Sequence, residues 1–312
     1  MLLEGAPSTW EAPAAGVAVA VGVFDGVHAG HRQVLRCALA QAADGGGSPA
    51  VLTFDRHPLS LVAPGRAPLA LTSVAHRTEL FASVGIEVVA VMPFDEKLRQ
   101  MTPSLFAVEV LADGLGARAV VVGEDFRFGG DRAGDVEALR TIGRRRGFGV
   151  FEVSLVGDGE PLSSTRIRGM IAGGDVLSAS AALGRPHEVW GEVVPGDGRG
   201  RTIGVPTANI AVAPGTALPA IGVYVVTVGR EADEVLPAVA NMGVRPTFGP
   251  VADPVLEAHI LDVDLDLYGS ILRVRFVDRI REERTFEGPA ALVAQISDDI
   301  RRAHDILTLR GY

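Results

Sequence analysis

Short runs of apolar, largely β-branched residues return along the first half of this chain, at Val17–Phe24, Ala50–Phe54, Val88–Phe94, Ala119–Val122 and Phe148–Leu155. Runs so short and so uniformly apolar read as strands buried on both faces, the pattern of a parallel sheet. Between them lie stretches with helical spacing, His31–Ala43, Val74–Val84, Ser104–Leu115 and Val136–Arg145. About five strand–helix units predict an α/β domain with helices on the sheet faces, and the pattern leaves the strand order open. After Leu183-Gly184-Arg185-Pro186 the period changes. From there to about Phe276 the segments are short and alternating, as in HEVWGEV, GVYVVTV, LPAVAN, LEAHILDV and ILRVRFV, with Gly, Pro and Asp turns between them. These predict a small antiparallel barrel. PAALVAQISDDIRRAHDILTL then sets apolar residues at helical spacing against acids and arginines, a closing helix. The expected organisation is one domain over residues 1–184 and a second over 185–312.

Charge narrows the function classes. Lys and Arg number 29 against 38 Asp and Glu, a formal net charge of −9. Nonspecific nucleic-acid binding needs surplus cations to neutralise phosphates, so no nucleic-acid partner is expected and any anionic ligand must be held locally. Lys97 is the only lysine. A Walker P-loop or a Schiff-base site requires a lysine, and Lys97, in the charged helical start FDEKLRQM, reads as a solvated side chain. The single cysteine, Cys37, forms no internal disulfide and lies in an apolar helical pattern as a small core residue, which fits a reducing cytosol. Ala12–Val23 has no basic flank before it and runs straight into Phe24-Asp25-Gly26, so neither a signal peptide nor a membrane span is expected.

Three strand ends carry chemistry: Asp25–His31, Asp55–Pro58 and Gly123–Gly130 all fall where ligands gather in open α/β sheets. In VGVFDGVHAGH, His28 and His31 stand three apart at a helix start and share a face near unpaired backbone N–H groups. Gly26 and Gly30 remove side chains where a phosphate-bearing ligand would approach, and the helix dipole adds partial positive charge. LSSTRIRGMI offers Ser163, Ser164 and Thr165 at another helix start with Arg166 and Arg168; by itself it reads equally as a capped helix with exposed arginines. GEDFRFGG suits a planar ring or a simple turn. In the second half, GRGRTIGVPTANI places Thr207 and Asn209 on one side of an extended segment as two neutral oxygens, suited to Mg²⁺ with phosphates or to outward polar positions. Glycine density and Arg201 favour anion binding there. In LEAHILDVDLDLYG, alternation puts Glu257, His259 and Leu261 on one face and Ala258, Ile260 and Asp262 on the other, a carboxylate among apolar neighbours. Asp262, Asp264 and Asp266 lack the glycine and terminal glutamate of an EF-hand and read as turn acids.

Together, GVFDGVHAGH, TFDRHP, GEDFRFG and SSTRIR, followed by GVPTAN, NMGVRPTFG and EAHILD…DLYG, resemble the bacterial bifunctional riboflavin kinase and FAD synthetase family, from about Val17 to the end. The resemblance implies a Rossmann-like nucleotidyltransferase domain with a parallel sheet, then a small antiparallel riboflavin kinase-like β-barrel with a C-terminal helix. It implies riboflavin, FMN and ATP as substrates, Mg²⁺ as cofactor, no membrane partner and a cytoplasmic location. By the same resemblance His28 and His31 stabilise adenylyl transfer to FMN, Gly22, Phe24, Asp25, Gly30, Ser164, Thr165 and Arg166 serve the ATP phosphates, and Asp125 and Phe126 meet the flavin. In the second module Gly204, Pro206, Thr207 and Asn209 hold ATP, with Thr207 and Asn209 on the metal, Glu257 is the general base, and Asn241 and Arg245, with Thr247 beside them, lie near flavin or nucleotide. Val23 stands where many members have Asn, and Arg56 where Pro is common. Two other readings are weighed: an aminoacyl-tRNA synthetase-like adenylation site, against which stand the absent lysine-rich loop and the acidic charge, and a non-catalytic flavin or nucleotide sensor, which predicts loss of Glu257.

Overall fold

A computed structural model describes residues 1–154, 162–196, 200, 204–245, 253–263 and 265–312, without the side chains of Arg245 and Asp253. The chain divides into two compact units, Met1–Ser164 and Thr165–Tyr312.

The first unit is built on six parallel strands, β1 (Leu2–Glu4), β2 (Val17–Val21), β3 (Ser48–Phe54), β4 (Val88–Met92), β5 (Ala117–Gly123) and β6 (Gly149–Val153), in the order β1-β4-β3-β2-β5-β6. The pleat accounts for the uniform apolarity of β2. Val17, Val19 and Val21 face a core with Phe106, Leu111 and Leu139, while Ala20 faces a second core with Val34, Leu35 and Phe81. Leu35 is fully buried, which stabilises the unit by about 1.5–3 kcal/mol. β1 carries too few residues to show a period and is specified by pairing with Val89–Val91. The helix expected at Ser104–Leu115 is a turn at Pro103–Leu105 followed by a widened coil, Phe106–Gly114, in which Leu115 N–H bonds the Val110 carbonyl five residues back. Strand order reverses at β2, which lies between β3 and β5, so the loop after β2 opens into the crevice at the carboxyl ends. Lys97 is exposed, as expected of a solvated side chain, and Cys37 is partly buried against the second core, its thiol pushed up by burial.

The second unit contains a closed antiparallel barrel of β7 (His187–Val194), β8 (Ala208–Val212), β9 (Gly222–Gly229), β10 (Leu236–Arg245), β11 (Asp253–Ile260) and β12 (Ile271–Arg281), in the order β10-β11-β8-β7-β12-β9. Tyr224, Met242, Leu256, Ala258 and Phe276 fill it, with Ile260 packed against them. The C-terminal helix Pro289–Arg310 covers the outside, Ala303 and Leu307 packing on Val225 and Val277. A buried ion pair pins this helix to the end of β12. Arg281 Nη2 donates to Asp299 Oδ2 at 2.7 Å and Nε to Oδ1 at 3.0 Å, while Gln295 Nε2 donates to Oδ1 at 2.9 Å. The Asp299 side chain is 2% exposed. Asp299→Ala leaves the Arg281 charge buried without its partner, and the unfolding of this unit in denaturant is expected to weaken by about 3–5 kcal/mol.

Candidate active sites

His28 is the N-cap of the helix Ala29–Gly45: its Nδ1 accepts the His31 N–H at 3.4 Å, so its Nε2 is the position left to carry a proton. His28 is buried, and its ring stacks on that of His31 with centroids 3.6 Å apart. The chain reaches them through a strained loop, with Phe24 at φ 50° and Val27 at φ 42°. A β-branched residue in the left-handed region is a backbone outlier, and each such residue costs about 1–3 kcal/mol that the surroundings must hold.

The surroundings are specific. Asp25 Oδ1 accepts the N–H groups of Leu71 and Thr72 and the Thr72 hydroxyl, all at 3.0–3.1 Å, and Thr72 Oγ1 accepts from Gly26 N–H. Ser164 Oγ donates to the Asp25 carbonyl at 2.9 Å. A side chain at Gly22 would meet the Phe24 ring at 3.0 Å; that ring is buried, edge-on to His31 at 5.3 Å and to Phe81 at 5.9 Å. Asp25 and Phe24 thus brace the loop with their side chains, which the spacing of the motif did not foretell. Gly30 is buried in the helix, and Thr165 and Arg166, next along the chain after Ser164, are exposed. After β5, Asp125 is exposed and Phe126 stacks on Phe128 at 5.4 Å.

The second unit brings its expected residues together by register. Glu257 on β11 is the cross-strand partner of Asn209 on β8 and of Asn241 on β10. Ala258 and Ile260 point into the barrel, so Glu257 and His259 face outward into a cleft of about 330 Å³. Thr207, Asn241, Val223 and Val239 share its wall, and Phe286 with Leu292, Ile296 and Ile300 of the C-terminal helix supply its apolar side. Sequence reading named none of these roof residues, because they meet Glu257 only through packing of a distant helix. Thr207 also borders a second cavity of about 260 Å³ lined by Val193, Pro206, Leu267 and Tyr268. The ring nitrogen Nδ1 of His259 lies 2.7 Å from the Pro206 carbonyl, tying β11 to the segment before β8. Asn209 is buried, and a side chain at Gly196 would come within 2.0 Å of its Nδ2 and displace that amide. Gly204 is exposed at φ 79°. Arg201, Thr247, Asp264 and the side chain of Arg245 lie outside the described residues. Asp262 and Asp266 are exposed, and among the described residues no group of three or more His, Cys, Asp or Glu side chains forms a metal site. The oxygen donors of Thr207 and Asn209 nevertheless fit Mg²⁺, which is held by one or two protein oxygens together with substrate phosphates.

Both parts of the chain are similar to known proteins. Residues 11–166 match the family model of FAD synthetase and residues 183–307 that of riboflavin kinase. The bifunctional riboflavin kinase/FMN adenylyltransferase of Escherichia coli strain K12 is 35% identical over 309 residues, 99% of this chain and 98% of that protein. The Pseudomonas fluorescens protein of the same name is 36% identical over 92% of each chain, and that of Bacillus subtilis 33% identical over 91% and 90%. A crystal structure described as a macrolide-efflux protein from Streptococcus pneumoniae is similar with a TM-score of 0.86 at 31% identity, covering 97% of this chain and 98% of that one. Among the described residues no helix is long and apolar enough to cross a membrane.

Proposed function

Because the chain belongs to the bifunctional riboflavin kinase/FMN adenylyltransferase family, we propose how its two sites divide the work and which residues carry it. The activities are phosphorylation of riboflavin by ATP to FMN, and adenylylation of FMN by ATP to FAD and pyrophosphate. The kinase module is assigned to residues 185–312 and the adenylyltransferase module to 1–184, working in the cytoplasm.

One observation carries the kinase assignment: Glu257 sits in register between Asn209 and Asn241 on the wall of an apolar cleft, with Thr207 bordering both that cleft and a second cavity. Riboflavin occupies the cleft against Phe286 and the C-terminal helix, oriented by Asn241 and by Arg245 beyond it, and ATP enters from the Gly204–Asn209 side. Glu257 takes the proton of the ribityl 5′-hydroxyl. The oxygen attacks the γ-phosphorus, the bond to the bridging oxygen breaks, and ADP leaves. Thr207 and Asn209 would hold Mg²⁺ together with the phosphates, and the metal when bound would supply charge neutralisation at the transferring group.

In the first module an FMN phosphate oxygen attacks the α-phosphorus of ATP and pyrophosphate departs. Charge builds on the phosphate oxygens, and the chain meets it with His28, His31 and the N–H groups at the start of the Ala29–Gly45 helix. Gly22, Phe24, Asp25 and Gly30 shape that loop, Ser164, Thr165 and Arg166 hold the triphosphate, and Asp125 and Phe126 take the flavin. Incubating the pure protein with riboflavin, ATP and Mg²⁺ and resolving flavins by chromatography should yield FMN and then FAD; no flavin nucleotide above blank would sink the assignment.

A further inference from the structure

We propose that Arg77 is a positioning residue for adenylyl transfer, bonding the carbonyl oxygens at the exits of β2 and β3 and so fixing the strained loop that presents His28 and His31. The inference rests on the assignment of that reaction to the two histidines.

Arg77 lies in the first turn of the helix Val74–Val84 and is 5% exposed. Its Nη1 donates to the Val23 carbonyl at 2.5 Å and to Thr53 Oγ1 at 3.1 Å, and its Nη2 donates to the Phe54 carbonyl at 3.0 Å. Thr53 Oγ1 in turn donates to the same Val23 oxygen at 3.0 Å. These carbonyls stand where β2 and β3 stop and the sheet no longer pairs them, so each needs a donor from elsewhere. Two neutral hydroxyl or amide donors would meet that need without burying a charge, which is expensive in an apolar interior. Burial draws the guanidinium below its ordinary value, and the charges of Asp25 and Asp55 oppose this.

What the guanidinium adds is a rigid planar fork that grips two strand exits at once. Val23 directly precedes Phe24, and Val27, the other strained residue, directly precedes His28. The same helix start is gripped in the opposite sense, because Leu71 and Thr72, just before the N-cap Ser73, give their N–H groups to Asp25. Arg77 and Asp25 therefore form a two-way clamp between this helix and the histidine loop. Without Arg77 the Val23 carbonyl loses one of its two donors and Phe54 loses a charged one, leaving the loop free to relax its positive-φ residues. A displacement of about 1 Å of the histidines costs about 10²-fold in rate.

The test uses the full chain and four variants, Arg77→Met, Arg77→Lys, Thr53→Val and His28→Ala, each assayed for riboflavin phosphorylation and for FMN adenylylation. Arg77→Met is expected to lower the adenylylation kcat by about 10²-fold, with KM for ATP and FMN moving by no more than about threefold. Riboflavin phosphorylation should stay at the wild-type rate, and Arg77→Lys should recover part of the lost kcat. Wild-type kcat in Arg77→Met overturns the proposal, as does a loss in which KM rises well beyond threefold, riboflavin phosphorylation falls with it and lysine restores nothing. Should Arg77→Met fail to fold, Arg77→Lys and Thr53→Val decide: each lowers kcat by about tenfold at unchanged KM if the clamp positions the loop, and unchanged kcat in both overturns it. Adenylylation surviving in His28→Ala would instead remove the underlying assignment, whatever Arg77 does.

Discussion

With Glu257 replaced by Gln, riboflavin phosphorylation is expected to fall by about 10²–10⁴-fold, while supplied FMN is still converted to FAD. Glutamine keeps the size of the side chain and its place between Asn209 and Asn241 on the barrel wall, so the cleft stays the same shape. What goes is the ability to accept a proton from an alcohol, which attacks phosphorus far more readily once that proton leaves in the transition state. The effect belongs in kcat, since a neutral amide still contacts the hydroxyl in the ground state. Steady-state assays of the two half-reactions on one preparation check it. FMN formation at the wild-type rate would remove Glu257 as base; joint loss of both activities in a folded variant would contradict independent sites.

His28→Ala is expected to do the reverse, lowering adenylylation of FMN by about 10²–10³-fold, the usual cost of deleting one donor that stabilises developing charge. The N-cap role found for His28 adds a complication that a second variant resolves. Alanine also removes the acceptor for the His31 N–H, a loss of about 1 kcal/mol in helix capping that moves the start of the helix as well. Asparagine is a strong N-cap but offers no imidazole. If His28→Asn is as inactive as His28→Ala, with a melting profile near wild type, the imidazole acts on the phosphates; near-normal adenylylation in His28→Asn would reduce His28 to a cap. Riboflavin phosphorylation serves as the internal control in both variants.

Most strands and helices of the first unit were legible because their signals are local. The helix over Val74–Val84 coincides with its expected span, closed by Ser73 at one end and Gly85 at the other. The first helix starts at Ala29 rather than His31, because His28 itself supplies the capping acceptor, a use of histidine that the i, i+3 spacing does not distinguish from ligand contact. Alternation along β11 correctly separated Glu257 and His259 from Ala258 and Ile260. It could not say which side held the ligand space, and the apolar surroundings of Glu257 come from the C-terminal helix rather than from its neighbours along the strand.

The sequence by itself determined the change from helical spacing to short alternating segments near residue 184 and the absence of lysine from both sites' motifs, since periodicity and residue chemistry are written along the chain. Only the tertiary structure decided that β2 lies at the reversal of strand order, that two imidazoles stack 3.6 Å apart, that Glu257 faces Asn209 and Asn241, and that Arg77 reaches the Val23 and Phe54 carbonyls. Each of these joins residues separated by many positions or depends on a side-chain rotation. The balance of burial, hydrogen bonding and strain that selects them exists only once the whole unit is packed.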